Sequence, residues 1–304
     1  MLLKFAIQEF MDERELMNVS DYTLNTYRSF FKDFSSYLRE QDIIDITDVT
    51  NATVKSYLMY CKNERNNRPN TINTKLKHIK AFFNFLVENE YVQKNPCFKI
   101  QKQVSDTKIE VFTDNHIRQM LRYYRRQTRA RKDHEFTAYR NISIIITLLG
   151  TGIRIGELNN LKWSDVTESY ITVCGKARQQ ETVPLTEKVY TELMDLKQYY
   201  SRYFDDLPVY VFVHRSGEQM SYDSCKGIFK KLQEVMNFKD VRLSAHTFRH
   251  TFAHRCIMNG MDVFSLQKIL RHKNISITQR YLALWGTALQ EQNNKFNPLN
   301  NMDI

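Results

Sequence analysis

The stretch LRHKNISITQRY, Leu270 to Tyr281, sets a histidine and a tyrosine nine residues apart near the end of a basic chain. Within it, Ser276 to Gln279 reads S-x-x-Q, the pattern of a capping box, so the spacing predicts a fresh helix starting at Ser276. Tyr281 then falls about a turn and a half inside that helix. The preceding run MDVFSLQKILRH reads as a short helix from Asp262 to about His272. Taken alone, a tyrosine so placed is half-buried packing with its hydroxyl satisfied by a neighbour.

The segment just upstream, SAHTFRHTFAHRCIMNG, has Ser244 as an N-cap and Gly260 as a stop. At about 100° per residue, Ala245, Phe248, Phe252 and Cys256 form an apolar face, while His246, Arg249 and His250 project together on another side. Such a helix is either a phosphate site or a solvated face. Further back, TGIRIGELNNLKWSDV places Arg154 and Glu157 three residues apart, on one face of a helix where they can pair. Arg154 sits in the first turn among glycines and apolar residues, so it is expected to be semi-buried and to need an anion. Between these segments, SYITVCGKARQQETVPL reads as two strands around a turn at Gly175 to Arg178, which carries Lys176. A third strand, VYVFVHRSGEQMS, enters a turn of its own. The run ISIIITLLGTG reads as a buried helix stopping at Gly150 or Gly152.

The first hundred residues are helical in pattern. Leu24, Tyr27, Phe31, Phe34 and Leu38 recur at three and four residues after a cap at Ser20 or Asp21, and Ile72, Leu76, Ile79, Phe83 and Leu86 do the same. A helix through TNATVKSYLMY and one before Met17 complete a small bundle. Residues 1–95 therefore read as a helical domain, 96–111 as an extended basic linker containing Pro96, and 112–304 as a second domain opening on the strongly basic helix TDNHIRQMLRYYRRQTRARK.

The 304 residues suffice for two domains with their own cores. No apolar run reaches membrane-spanning length and the N-terminus lacks a signal-peptide pattern, so a cytoplasmic protein is expected. Five scattered cysteines suggest neither a disulfide framework nor a zinc site. The net charge of +10 points to a polyanion. Residues 1–111 hold 16 Lys and Arg against 15 Asp and Glu, and the remainder 28 against 19, so the excess belongs to the second domain.

The order of these segments resembles the tyrosine recombinase family, the phage-integrase and Xer-like enzymes. TGIRIGELNNLKWSD resembles the family's first-arginine motif, GKARQQETVPL its hairpin lysine, HTFRH its His-x-x-Arg motif, and LRHKNISITQRY its final histidine with the nucleophile. VSDYTLNTYRSFFKDFSSYL through TINTKLKHIKAFFNFL resembles the family's core-binding domain. The resemblance implies a mainly α fold with a small antiparallel β-sheet, in which a helical SAM-like core-binding domain precedes an α+β catalytic domain. It implies Arg154, Lys176, His246, Arg249, His272 and Tyr281 as catalytic residues, Tyr281 being the nucleophile, with Glu157 in support. Arg271 is a departure, since the family usually has a small residue, often glycine, before the final histidine. The less basic turn GKARQQE is another.

A phosphodiester repels nucleophiles, so cleavage needs neutralised charge and in-line positioning. Arg154 and Arg249 suit the non-bridging oxygens through paired planar donors, and His272 adds a third. These groups take the place of metal ions, so neither a metal nor another cofactor is expected. The tyrosine hydroxyl, with an ordinary pKa of about 10, needs a proton acceptor, and His246 is the first candidate helper, either as that base or as a phosphate ligand. Lys176 is suited to protonate the departing 5′ oxygen. The partner implied is a double-stranded DNA recombination site, on which a monomer or weak dimer assembles into a homotetramer through the tail after Tyr281. Leu284, Trp285, Leu289, Phe296 and Leu299 there suit docking on a neighbour or on their own domain. Lys75, Lys77, Lys80, Lys99, Lys102 and Arg178 are candidate phosphate contacts. Two other readings are a catalytically silent DNA-binding regulator on the same fold and a monomeric type IB topoisomerase-like enzyme.

Overall fold

In a computed structural model, the chain is described over residues 1–104, 109–130, 132–175, 179–281 and 297. It divides into two compact units, Met1–Thr107 and Lys108–Ile304.

The first unit is a four-helix assembly of α1 (Leu3–Leu16), α2 (Asp21–Arg39), α3 (Asn51–Asn63) and α4 (Pro69–Glu88). Its core residues are those whose spacing predicted helices: Leu24, Phe31, Phe34 and Leu38 on α2, and Ile72, Leu76, Ile79, Phe83 and Leu86 on α4, are all buried. Phe10 of α1 meets Phe31, Phe82 and Phe85 edge-on, with ring centroids 5.5 to 5.6 Å apart. Edge-to-face pairs of this kind fix helix orientation beyond simple area burial. Of the stretch expected to link the domains, Cys97 and Ile100 are buried in this same core.

The second unit is built on α6 (Lys132–Thr151), which packs against α5 (Asp114–Ala130), α8 (Glu187–Tyr203) and α10 (Ala245–Met258). The apolar run Ile142–Leu149 lies within α6, and the helix ends where expected. Gly152 follows it with φ +62°, a left-handed conformation open to glycine, and a Cβ there would lie 2.4 Å from the Phe252 ring. Then come α7 (Ile155–Asn159), the strands β1 (Tyr170–Cys174) and β2 (Gln180–Pro184), α8, and α9 (Tyr222–Met236). The strands pair antiparallel, with Ile171 opposite Val183 and Val173 opposite Glu181. The expected third strand does not form. Lys162 and Tyr210, and Val213 and Gln219, make isolated bridges only, because Val209 and Val211 bond the irregular segment at Leu161 and Trp163 and not the hairpin.

The chain closes through α10, α11 (Val263–Leu270) and α12 (Ile275–Gln279). Ser244 caps α10 and Asp262 caps α11, each accepting from the third amide onward. Helix α12 begins earlier than the capping box implies: the Asn274 side chain caps it by accepting from Ser276 N. Tyr281 accordingly lies just past the helix and bonds through its amide to the Thr278 carbonyl. No helix among the described residues is long and apolar enough to cross a membrane.

Candidate active site

The site forms where the α6–α7 turn, α10 and the α11–α12 turn meet. Arg249 on α10 is 2% exposed. It was expected on a basic face, yet it lies inside, because its guanidinium links two turns. Nη1 donates to the Gly152 carbonyl at 2.7 Å, and Nη2 to the Leu270 carbonyl. Burial, and then the nearby Arg154, lower its pKa to about 10, so it remains a cation at neutral pH.

Arg154 enters from the start of α7. Its Nη1 donates to Glu157 Oε1 at 2.8 Å, and its backbone N–H to Glu157 Oε2 at 2.8 Å. Its Nη2 donates to the Arg271 carbonyl at 3.3 Å. The two guanidinium groups therefore meet consecutive carbonyls, those of Leu270 and Arg271. A guanidinium carries five N–H donors, so both arginines keep donors beyond these bonds for an anion.

His272 follows immediately on the same turn, its Nδ1 held 2.8 Å from Thr278 Oγ1. Burial first, then Arg249 and Arg154, lower its pKa to about 4. It is neutral at physiological pH. In the tautomer that accepts from Thr278, the free Nε2 carries the N–H.

Tyr281 is 3% exposed and packs with Ala253, Ile257, Leu266 and Leu270 in a satellite of the core. Its hydroxyl lies 2.7 Å from His250 Nδ1. Burial raises its pKa, while Arg249 and Arg280 oppose that shift. Burial, followed by His246, Arg280 and Arg249, lowers that of His250 to about 4. A protonated tyrosine thus faces a neutral imidazole. The His246 ring stands nearly perpendicular to that of His250, with centroids 4.2 Å apart. It keeps an edge open to solvent, and the protein packed around it, then Arg249 and Arg154, depress its pKa too.

Arg154, Glu157, His246, Arg249, His272 and Tyr281 are thus brought together. Lys176, Arg178 and the tail residues Leu284, Trp285, Leu289, Phe296 and Leu299 lie outside the described residues. His250 was read only as part of a basic cluster; the direct signal for it was its position one turn after His246 on the same helix. Arg271 does not face solvent: its side chain is 3% exposed and paired with Glu157 Oε2 at 2.5 Å. Among the DNA-contact candidates, Lys77, Lys99 and Lys102 are exposed. Lys75 is held by Asp33 and Tyr57, and Lys80 by the Ile100 carbonyl. Among the described residues, no group of three or more His, Cys, Asp or Glu is placed to hold a metal ion.

Residues 110–285 match the phage integrase family, and residues 1–100 the phage integrase SAM-like domain. The chain belongs to the phage integrase family. Among this integrase's relatives, the tyrosine recombinase XerC of Pediococcus pentosaceus is 28% identical over 235 residues, 75% of either chain. The fold of the integrase is also that of the Tn1549 transposon integrase in complex with transposon right end DNA, with TM-score 0.74 and 21% identity over 92% of this chain and 94% of that one. A lambda integrase tetramer bound to a Holliday junction has TM-score 0.72 and 15% identity over 90% of this chain and 78% of that one.

Proposed function

We propose that Tyr281 is the nucleophile with which this integrase breaks a DNA strand, in a site assembled from Arg154, His246, Arg249, His250, His272 and the hairpin lysine Lys176. The chain is a site-specific DNA recombinase of the tyrosine type. The observation that carries the residue assignment is the 2.7 Å contact between the Tyr281 hydroxyl and His250 Nδ1 beside two arginines on adjacent carbonyls.

The chemistry follows from that geometry. Arg154 and Arg249 bind the non-bridging oxygens of the scissile phosphate, and the Nε2–H of His272 donates to the same group. As the Tyr281 oxygen bonds to phosphorus, its proton passes to neutral His250, with His246 next to it. The P–O5′ bond breaks and Lys176 protonates the departing oxygen. The resulting 3′-phosphotyrosine is an ester of similar energy to the bond lost, so a 5′ hydroxyl from another strand reverses the step without ATP. His250 replaces His246 as first acceptor because it touches the hydroxyl.

Four protomers acting two at a time on paired duplex sites suit an exchange of strands, a reading supported by the tetrameric lambda integrase on its junction. The helical unit 1–95 serves core-site binding, 96–111 the connection, and 112–304 catalysis and protomer contact. Lys77, Lys99 and Lys102 are its phosphate contacts, and the enzyme works in the cytoplasm on nucleoid DNA. The silent-regulator reading is not favoured, since each catalytic position of the motif set is filled. Incubation with a nicked duplex carrying the site, followed by protease digestion and mass analysis, tests the proposal. DNA attached to the peptide containing Tyr281 is expected; attachment elsewhere refutes the assignment, and absence of any adduct returns the regulator.

A further inference from the structure

The turn that carries His272 also holds a buried arginine to which the mechanism above gives no role. Arg271 caps α11 with φ 55° and ψ 47°, a left-handed conformation that glycine adopts freely and a residue with a Cβ does not. It is kept there by what its side chain meets. Nη2 pairs with Glu157 Oε2 at 2.5 Å, and Nη1 donates to the Ile269 carbonyl at 2.8 Å. Nε points toward Glu181 Oε2 at 3.6 Å, beyond hydrogen-bond length. Among the described residues this buried Nε has no hydrogen-bond partner, a costly condition for a donor out of water.

Glu181 belongs to β2, opposite Val173. Its carboxylate lies against the start of the hairpin turn, since a Cβ on Gly175 would stand 2.9 Å from Glu181 Oε2. The next residue in sequence is Lys176. One guanidinium therefore spans the carboxylate that fixes Arg154 and the carboxylate at the foot of the lysine-bearing hairpin.

We infer that Arg271 is a positioning residue that tethers the β1–β2 hairpin to the arginine cluster through Glu157 and Glu181. The two charge pairs hold the strand that leads into Lys176 against the carboxylate that fixes Arg154, so phosphate binding by Arg154 and proton donation by Lys176 are linked through one side chain. This rests on the proposed role of Lys176 as proton donor to the 5′ oxygen.

The test measures single-turnover cleavage of a nicked duplex at saturating protein, with either an ordinary scissile phosphate or one whose bridging 5′ oxygen is sulfur. A thiol has a pKa of about 8.5 and leaves without a proton donor. Glu181→Gln and Arg271→Gly should each slow the ordinary substrate by about tenfold with unchanged DNA affinity, and Arg271→Lys, which keeps the charge, by less. Lys176→Ala should slow it further. The sulfur substrate should bring Glu181→Gln and Lys176→Ala close to wild type and Arg271→Gly part of the way, since Arg271 also holds Glu157, and the double variant Glu181→Gln/Arg271→Gly should be no slower than Arg271→Gly. Rescue of Lys176→Ala without rescue of the other two overturns the tether. If Lys176→Ala itself is not rescued, the reading of Lys176 fails separately, and the Glu181–Arg271 cycle then decides: coupled losses support the tether and multiplicative ones overturn it.

Discussion

Tyr281 fills a place in the core and faces a base with the same side chain. Its ring packs on α10 and α11, and its hydroxyl meets His250, so packing accounts for one end of the residue and the proposed chemistry concerns the other. Because His250 has its pKa depressed to about 4 by burial and neighbouring cations, it stays neutral well below pH 6.5. Cleavage at sub-saturating protein, which reads the free enzyme, is expected to hold down to about pH 5 and fall only below it. An acid limb centred near 6.5 contradicts the assignment. Arg154→Lys and Arg249→Lys keep the charge but lose the paired donors, and each should slow cleavage by about a hundredfold or more with DNA affinity little changed; equal loss of affinity and rate would mean that they serve binding alone. At this scale order and spacing put forward Arg154, His246, Arg249, His272 and Tyr281, which the fold brings to one place. His250 was not legible in this way, since only the fold shows which neighbour a hydroxyl meets, and neither was the inward turn of Arg271.

Helix α10 carries His246, Arg249 and His250, and its placement depends on the turns that Arg249 bridges. Gly152 is the critical position there. Gly152→Ala combines a left-handed backbone with a Cβ 2.4 Å from the Phe252 ring, and should cost about 1–3 kcal/mol, read as a lower urea midpoint at unchanged m-value. Stability within a few tenths of wild type would show that the turn yields easily. Elements with strong apolar spacing were legible: α2, α4 and α6 lie where the pattern put them. The third strand failed because Tyr210 and Val213 find bridge partners in irregular segments, and pattern alone cannot name a strand's partner. Helix α8 carries a helical signal as well, with Val189, Leu193, Leu196 and Tyr200 marking its buried face at helical spacing. The start of α12 was misplaced because Asn274 and Ser276 are both good caps.

Across the whole molecule the excess positive charge and the neutral, half-buried histidines set the response to conditions. His250 and His272 have folded pKa values of about 4, below the ordinary value of about 6.5. The unfolded chain therefore takes up protons first as pH falls. Stability should be complete above about pH 6.5 and decline between 6.5 and 4, seen as a lower melting temperature at pH 5 than at pH 7.5; an unchanged or higher one contradicts the burial described. The helical period of the first 95 residues and its loss over 96–111 are the sequence's signal for two domains, whereas the burial of Cys97 and Ile100 needed the fold to reveal. The central claim, that Tyr281 performs strand cleavage, is tested most directly by trapping on a nicked duplex containing the recombination site. Wild type should form a covalent protein–DNA adduct, and Tyr281→Phe should bind the same DNA with unchanged affinity and form none; an adduct that survives the substitution would contradict the account.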